Sequence, residues 1–99
     1  NCTVTICHSH TSKSYLYTLL NWADVIVCAV GKKDLFRASD INPKTIAIDV
    51  GINFDENGKL CGDINNDIHS DMVTPVPGGV GLLTRCMLLQ NTIQACLGV

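Results

Sequence analysis

The chain has 99 residues, 46% of them hydrophobic and 16% charged, with a net charge of −2. That length fits one domain or part of one, and the balance excludes a disordered, low-complexity segment. No basic face advertises nucleic acid or an anionic membrane, and the uninterrupted apolar run Val25–Gly31 is far too short to span a bilayer.

Taken in chain order, the first residues are Asn-Cys-Thr, without a Met or a basic leader, so a piece of a longer protein is expected. Cys2-Thr-Val-Thr-Ile-Cys7 is β-branched and predicts a strand. Ser12 to Trp22 predicts a helix, with Thr11 or Ser12 as N-cap and Leu16, Leu19 and Leu20 on one face. Asp24 to Val30 is nearly all apolar and predicts a strand buried on both faces, ending at Gly31. Lys32 to Asn42 is a polar crossover with room for a helical turn or two.

Thr45 to Val50, ending at Gly51, predicts a third strand of the same kind. Asn57-Gly58 suits a hairpin turn, with Lys59 to Asp63 as a short return strand. Asp67 to Asp71 is expected to form a helical turn, and Met72 to Thr74 a last short strand. Thr74-Pro75-Val76-Pro77-Gly78-Gly79-Val80-Gly81 then leads into a helix-like run, Leu82 to Leu97.

The three main strands begin about twenty residues apart, the period of βα units. The prediction is therefore a mostly parallel α/β sheet with right-handed crossovers. Ligands of such sheets bind outside the carboxyl ends of the strands. Here those ends are Cys7-His8-Ser9, Ala29-Val30-Gly31, Val50-Gly51-Ile52-Asn53 and the Pro/Gly loop.

The Pro/Gly loop has two readings. Its glycines allow close backbone approach to a ligand, at the start of a helix with free N–H groups. The other reading is a rigid strand-to-helix turn. The strand end at His8-Ser9 has no Asp or Glu to hold ribose hydroxyls; Ser9, His10, Thr11 and Lys13 offer hydroxyls and positive charge, which suit a phosphate. A plain loop and helix cap is the other reading of the same residues. His8 and His10 share a strand face but lack a third ligand at sensible spacing, so no metal centre is predicted. Asp49 in Ile-Asp-Val-Gly is either a buried acid or base, or an orienter of backbone amides at a strand end. The six cysteines contain no C-x-x-C pair and sit mostly in apolar runs, the pattern of reduced, hydrophobic use in a cytosolic setting. There is no G-x-G-x-x-G turn.

Read together, Cys7-His8-Ser9, Ala29-Val30-Gly31-Lys32, Ile48-Asp49-Val50-Gly51-Ile52-Asn53, Gly62-Asp63 and the Thr74–Gly81 loop resemble one family in order and spacing. It is the bifunctional methylenetetrahydrofolate dehydrogenase/methenyltetrahydrofolate cyclohydrolase family. The resemblance covers almost the whole chain, and its closing Gln90–Cys96 is most similar to bacterial members.

The resemblance implies a Rossmann-like α/β fold: a mostly parallel sheet with helices on both faces, in three layers, incomplete at its N-terminal side. Residues 1–81 would be an NADP-binding domain lacking its first βα unit. Residues 82–99 would be a helix returning toward a catalytic domain that this chain lacks. The family oxidises methylenetetrahydrofolate with NADP and hydrolyses the methenyl product to formyltetrahydrofolate. It implies a cytoplasmic homodimer serving one-carbon metabolism and purine biosynthesis, with no nucleic-acid or membrane partner.

By position, Ser9, with His8 and Thr11 beside it, would hold the adenosine 2′-phosphate. Ala29, Val30 and Gly31, together with Val50, Gly51 and Ile52, would line the cofactor crevice. Thr84 would lie near the nicotinamide. Pro77, Gly78, Gly79, Val80 and Gly81 would line the folate side. The family's catalytic Tyr and Lys have no counterpart here, and Tyr15 and Tyr17 belong to a surface helix. Leu82 and Leu83 replace the family's usual Pro and Met, and Lys33 a usual Pro. The alternative function is a nucleotide-binding relic or interaction module without catalysis.

Overall fold

Ser12 is extended (φ −62°, ψ 144°), and its hydroxyl accepts the Tyr15 N–H at 3.3 Å. That cap starts α1, Lys13–Trp22, which turns Leu20 into the core with Leu16 and Tyr17 partly covered. The computed structural model describes residues 1–98.

Strand β1 (Val25–Cys28) pairs in parallel with β3 (Ile46–Asp49), in the register Val25↔Ile46 through Cys28↔Asp49. Between them lie β2 (Phe36–Arg37) and a 3-10 turn, Ala38–Asp40, which fill the predicted crossover. β2 pairs in parallel with β6 (Ile64–Asn65). β4 (Asn53–Phe54) and β5 (Leu60–Cys61) form the predicted hairpin, with Gly58 at φ 76° in its turn. Val73 extends the main sheet by one parallel bridge to Ala47, through Met72 O at 2.8 Å and Thr74 N–H at 3.0 Å. The core gathers Leu20, Cys28, Phe36, Ile41, Ala47 and Ile64.

Several expectations are corrected. Cys2–Cys7 forms no strand, and Val4 and Ile6 are exposed. β-branched residues favour extended backbone, but a strand exists only where its N–H and C=O groups meet a neighbour. β1 and β3 are not buried on both faces. Cys28, Ala47 and Asp49 face inward, whereas Val25, Val27 and Ile46 are exposed, because among the described residues no helix covers that side. Asp67–Asp71 forms turns rather than a helical segment, with His69 at φ 50°.

The last helix, α2 (Val80–Leu97), starts two residues before the predicted Leu82. None of its residues is buried. The radius of gyration is 15.4 Å, against about 13 Å for a compact domain of this length, because the helix and the first residues project. Among the described residues, no helix is long and apolar enough to cross a membrane.

Candidate functional site

Parallel pairing brings the carboxyl ends of β1 and β3 side by side. The Val50 N–H donates to Cys28 O at 2.7 Å, so Ala29–Gly31 and Val50–Ile52 leave the sheet together. The Pro/Gly loop leaves from the same edge. Thr74 follows the Val73 bridge, and its hydroxyl accepts the Asp49 N–H at 2.8 Å. Three of the four predicted strand ends therefore converge.

Two buried aspartates hold this edge. Asp49 is 2% exposed, and its carboxylate accepts the N–H groups of Gly51, Asp63 and Ile64, each at 3.0 Å. Of the two readings offered by the sequence, the orienter of amides is the one observed. Asp63 is fully buried. Its Oδ2 accepts Val30 N–H at 2.8 Å and Gly31 N–H at 3.1 Å; its Oδ1 accepts Lys32 N–H at 2.9 Å and the Asn53 amide at 2.8 Å. The Cys28 thiol also donates to Oδ2, at 3.6 Å. Neither carboxylate has a cationic partner within ion-pair distance among the described residues.

Burial pushes Asp63 up, but the Asn53 amide and the Val30, Gly31 and Lys32 N–H groups outweigh it. The carboxyl ends below its ordinary value and stays ionised. Burial pushes the Cys28 thiol up to about 12, with the negative charges of Asp63 and Asp49 adding to it. Asp63 carried no special weight in the sequence beyond its place in the Gly62-Asp63 motif. Its signal was a lone acid at the end of the predicted return strand Lys59–Asp63, which does not reveal burial.

The Pro/Gly loop is exposed at Pro75, Pro77 and Gly78, and half-buried at Val76, Gly79 and Val80. The Val76–Pro77 bond is cis, and Gly78 has φ 94°. A Cβ on Gly79 would run into the Pro75 carbonyl, so the loop folds onto itself where α2 begins. Thr84 falls in the second turn of α2, with its hydroxyl donating to Val80 O at 2.9 Å.

The His8–Thr11 turn is built separately. Thr11 N–H donates to His8 O and His8 N–H to Thr11 Oγ1, both at 2.9 Å, and His10 N–H donates to His8 Nδ1 at 3.1 Å. Ser9 is exposed at its apex. Among the described residues these bonds stay within the turn, so the structure does not tie Ser9 to the other strand ends. The six cysteines are all free thiols. A cavity of about 60 Å³ lies away from the strand ends, near Ile41, Pro43 and Met72. At the converging edge itself Ala29, Val30, Gly31, Val50 and Ile52 are exposed.

Parallel strands ending together at one loop-lined edge give this chain the architecture of a Rossmann-like α/β domain. The family described as "Tetrahydrofolate dehydrogenase/cyclohydrolase, NAD(P)-binding domain" matches residues 1–98, and the chain belongs to that family.

It is 52% identical over 98 residues to "Bifunctional protein FolD" of Polaromonas naphthalenivorans (strain CJ2), covering 96% of this chain and 34% of that protein. The protein of the same description from Janthinobacterium sp. (strain Marseille) matches with the same identity and coverage. Among solved structures, the bifunctional FolD enzyme of Campylobacter jejuni superposes with a TM-score of 0.84 at 39% identity, covering 97% of this chain and 34% of that one. The Trypanosoma brucei FolD, described as complexed with NADP cofactor and inhibitor, gives 0.81 at 36% identity, covering 94% and 34%. The chain thus spans about a third of the length of the relatives it matches.

Proposed function

We infer that this chain is the cofactor-binding part of a two-domain enzyme. That enzyme oxidises 5,10-methylenetetrahydrofolate to the methenyl form with NADP and hydrolyses this to 10-formyltetrahydrofolate. The observation that carries the reading is the convergence of Ala29–Gly31, Val50–Ile52 and the Thr74–Gly81 loop at one sheet edge. The family and the NADP named for the trypanosomal neighbour support it.

The residues present fit the group in part. Gly51 is buried against Asp63 with no room for a Cβ, so the β3 end packs closely onto the carboxylate that holds the β1 end. Ala29, Val30, Gly31, Val50, Gly51 and Ile52 would line the cofactor site, and Thr84 on α2 would lie near the nicotinamide. Ser9, flanked by His8 and Thr11, would receive the 2′-phosphate. NADP, when bound, supplies the hydride acceptor. Pro77, Gly78, Gly79, Val80 and Gly81 would form the folate wall.

In this reading residues 1–81 make the cofactor domain and 82–99 the helix that returns to the catalytic domain. The catalytic side chains come from that domain and none from this chain. The assembled enzyme would be a cytoplasmic homodimer whose formylated product feeds purine biosynthesis.

Calorimetry with NADP and NAD tests the reading, using this chain beside the same chain joined to the upstream part of the enzyme. Binding of NADP in preference to NAD by the longer protein is the expected result. No binding by either protein would overturn it.

A further inference from the structure

The three N–H groups of Val30, Gly31 and Lys32 point at one buried carboxylate, Asp63. Their peptide bonds are trans, and across a trans peptide the C=O points opposite to the N–H. The carbonyls of Ala29, Val30 and Gly31 are therefore turned away from Asp63, toward the exposed side of the loop. Gly31 allows this bend through its φ of 75°. Without the carboxylate, three adjacent donors would have no acceptor beneath them, and the loop would have no reason to keep its carbonyls outward.

We propose that Asp63 is a positioning residue for the cofactor: it fixes the Val30–Lys32 backbone so that the crevice meets hydrogen-bond acceptors, suited to the hydroxyl and amide donors of a nicotinamide nucleoside. The proposal rests on the reading that this edge binds NADP. Asp49 supports the arrangement from below, since it holds the Asp63 and Ile64 N–H groups. Asn53 closes it from the side through Oδ1. No atom of Asp63 reaches solvent, so its action on a ligand goes through the loop.

The test uses the intact two-domain enzyme and its two activities. Hydride transfer needs a positioned cofactor, whereas cyclohydrolase activity on added methenyltetrahydrofolate, assayed without nucleotide, does not. In Asp63→Asn, either orientation of the new amide sets an NH2 against at least one backbone N–H. The expected result is an NADP KM raised on the order of tenfold, with cyclohydrolase turnover within about twofold of wild type. Asn53→Ala removes one donor, leaves Asp63 in place, and should shift the NADP KM in the same direction by a smaller factor; it decides the matter if Asp63→Asn does not fold.

An unchanged NADP KM in a folded variant, or an equal loss of both activities, overturns the positioning role. A wild-type enzyme that reduces no NADP overturns the underlying reading instead, and the proposal with it.

Discussion

The backbone N–H of Asp63 donates to the carboxylate of Asp49 at 3.0 Å, and each aspartate lies against the other's neighbouring glycine. A Cβ on Gly62 would strike the Asp49 carboxylate, and one on Gly51 would strike that of Asp63. The two strings Asp-Val-Gly and Gly-Asp thus interlock, each glycine making room for the opposite acid.

Gly62→Ala and Gly51→Ala should therefore destabilise the fold although neither position needs a left-handed backbone. The methyl meets a carboxylate held by several N–H donors, which cannot retreat without losing them. Overpacking of this kind costs about 1–3 kcal/mol, and the lost charge-assisted bonds add to it. Urea unfolding of the intact enzyme should show a lowered midpoint in both variants, and midpoints equal to wild type would contradict the steric account.

Acid should weaken the same edge. Asp63 has a folded pKa below its ordinary value, so it contributes stability that is present above the unfolded pKa of about 4 and lost as pH falls through the lower folded value. Melting temperature should hold from neutral pH down to about 5 and then drop. In Asp63→Asn the drop should be shallower. An unchanged acid slope in that variant would show that other groups carry it.

Thiol chemistry gives a direct reading of burial. Cys2, Cys86 and Cys96 are exposed, while Cys28 is buried with its thiol pushed up to about 12. A disulfide reagent at neutral pH should modify the exposed three promptly and reach Cys28 only on unfolding. Mass mapping that finds Cys28 labelled early would refute its burial.

Ser9 carries the cofactor preference in the proposed function. Ser9→Asp would set a negative charge where the 2′-phosphate is placed, so NADP should weaken more than NAD. The ratio of the two KM values, measured in the intact enzyme, checks it. Equal loss for both cofactors counts against the assignment.

The 99-residue chain alone should be marginal or self-associating. Val25, Val27 and Ile46 leave one face of the β1–β3 sheet open, and Leu83, Met87 and Leu88 are exposed on α2. Size-exclusion chromatography should show species larger than the monomer, reduced by Leu83→Glu with Leu88→Glu. A monodisperse wild-type monomer with a cooperative melt would disprove this.

Local chemistry made much of this legible in the sequence. Thr11 or Ser12 before an apolar stripe marked the start of α1, Asn57-Gly58 the hairpin, and the β-branched run Thr45–Val50 the strand β3. For Asp49 the sequence left two fates, a buried acid or base and an orienter of amides, and the structure shows the second. What failed was whatever depends on a distant neighbour. Cys2–Cys7 has strand chemistry but no ladder partner, and the exposed sides of β1 and β3 reflect a missing cover, not a property of their own residues. Asp63 was unreadable for a related reason: its partners at Val30–Lys32 lie more than thirty positions upstream, and only the fold brings them together.

Helix α2 also makes the chain's motions separable. An eighteen-residue helix with no buried side chain gains little from tertiary packing, the main source of helical stability in proteins. Its amides should open and close on the microsecond scale of a free peptide, and exchange with solvent deuterium almost at once. The amides of Val30, Gly31 and Lys32, locked on a buried carboxylate, should be among the slow ones although they belong to a loop. In this chain, regular secondary structure and persistence in time are assigned to different segments.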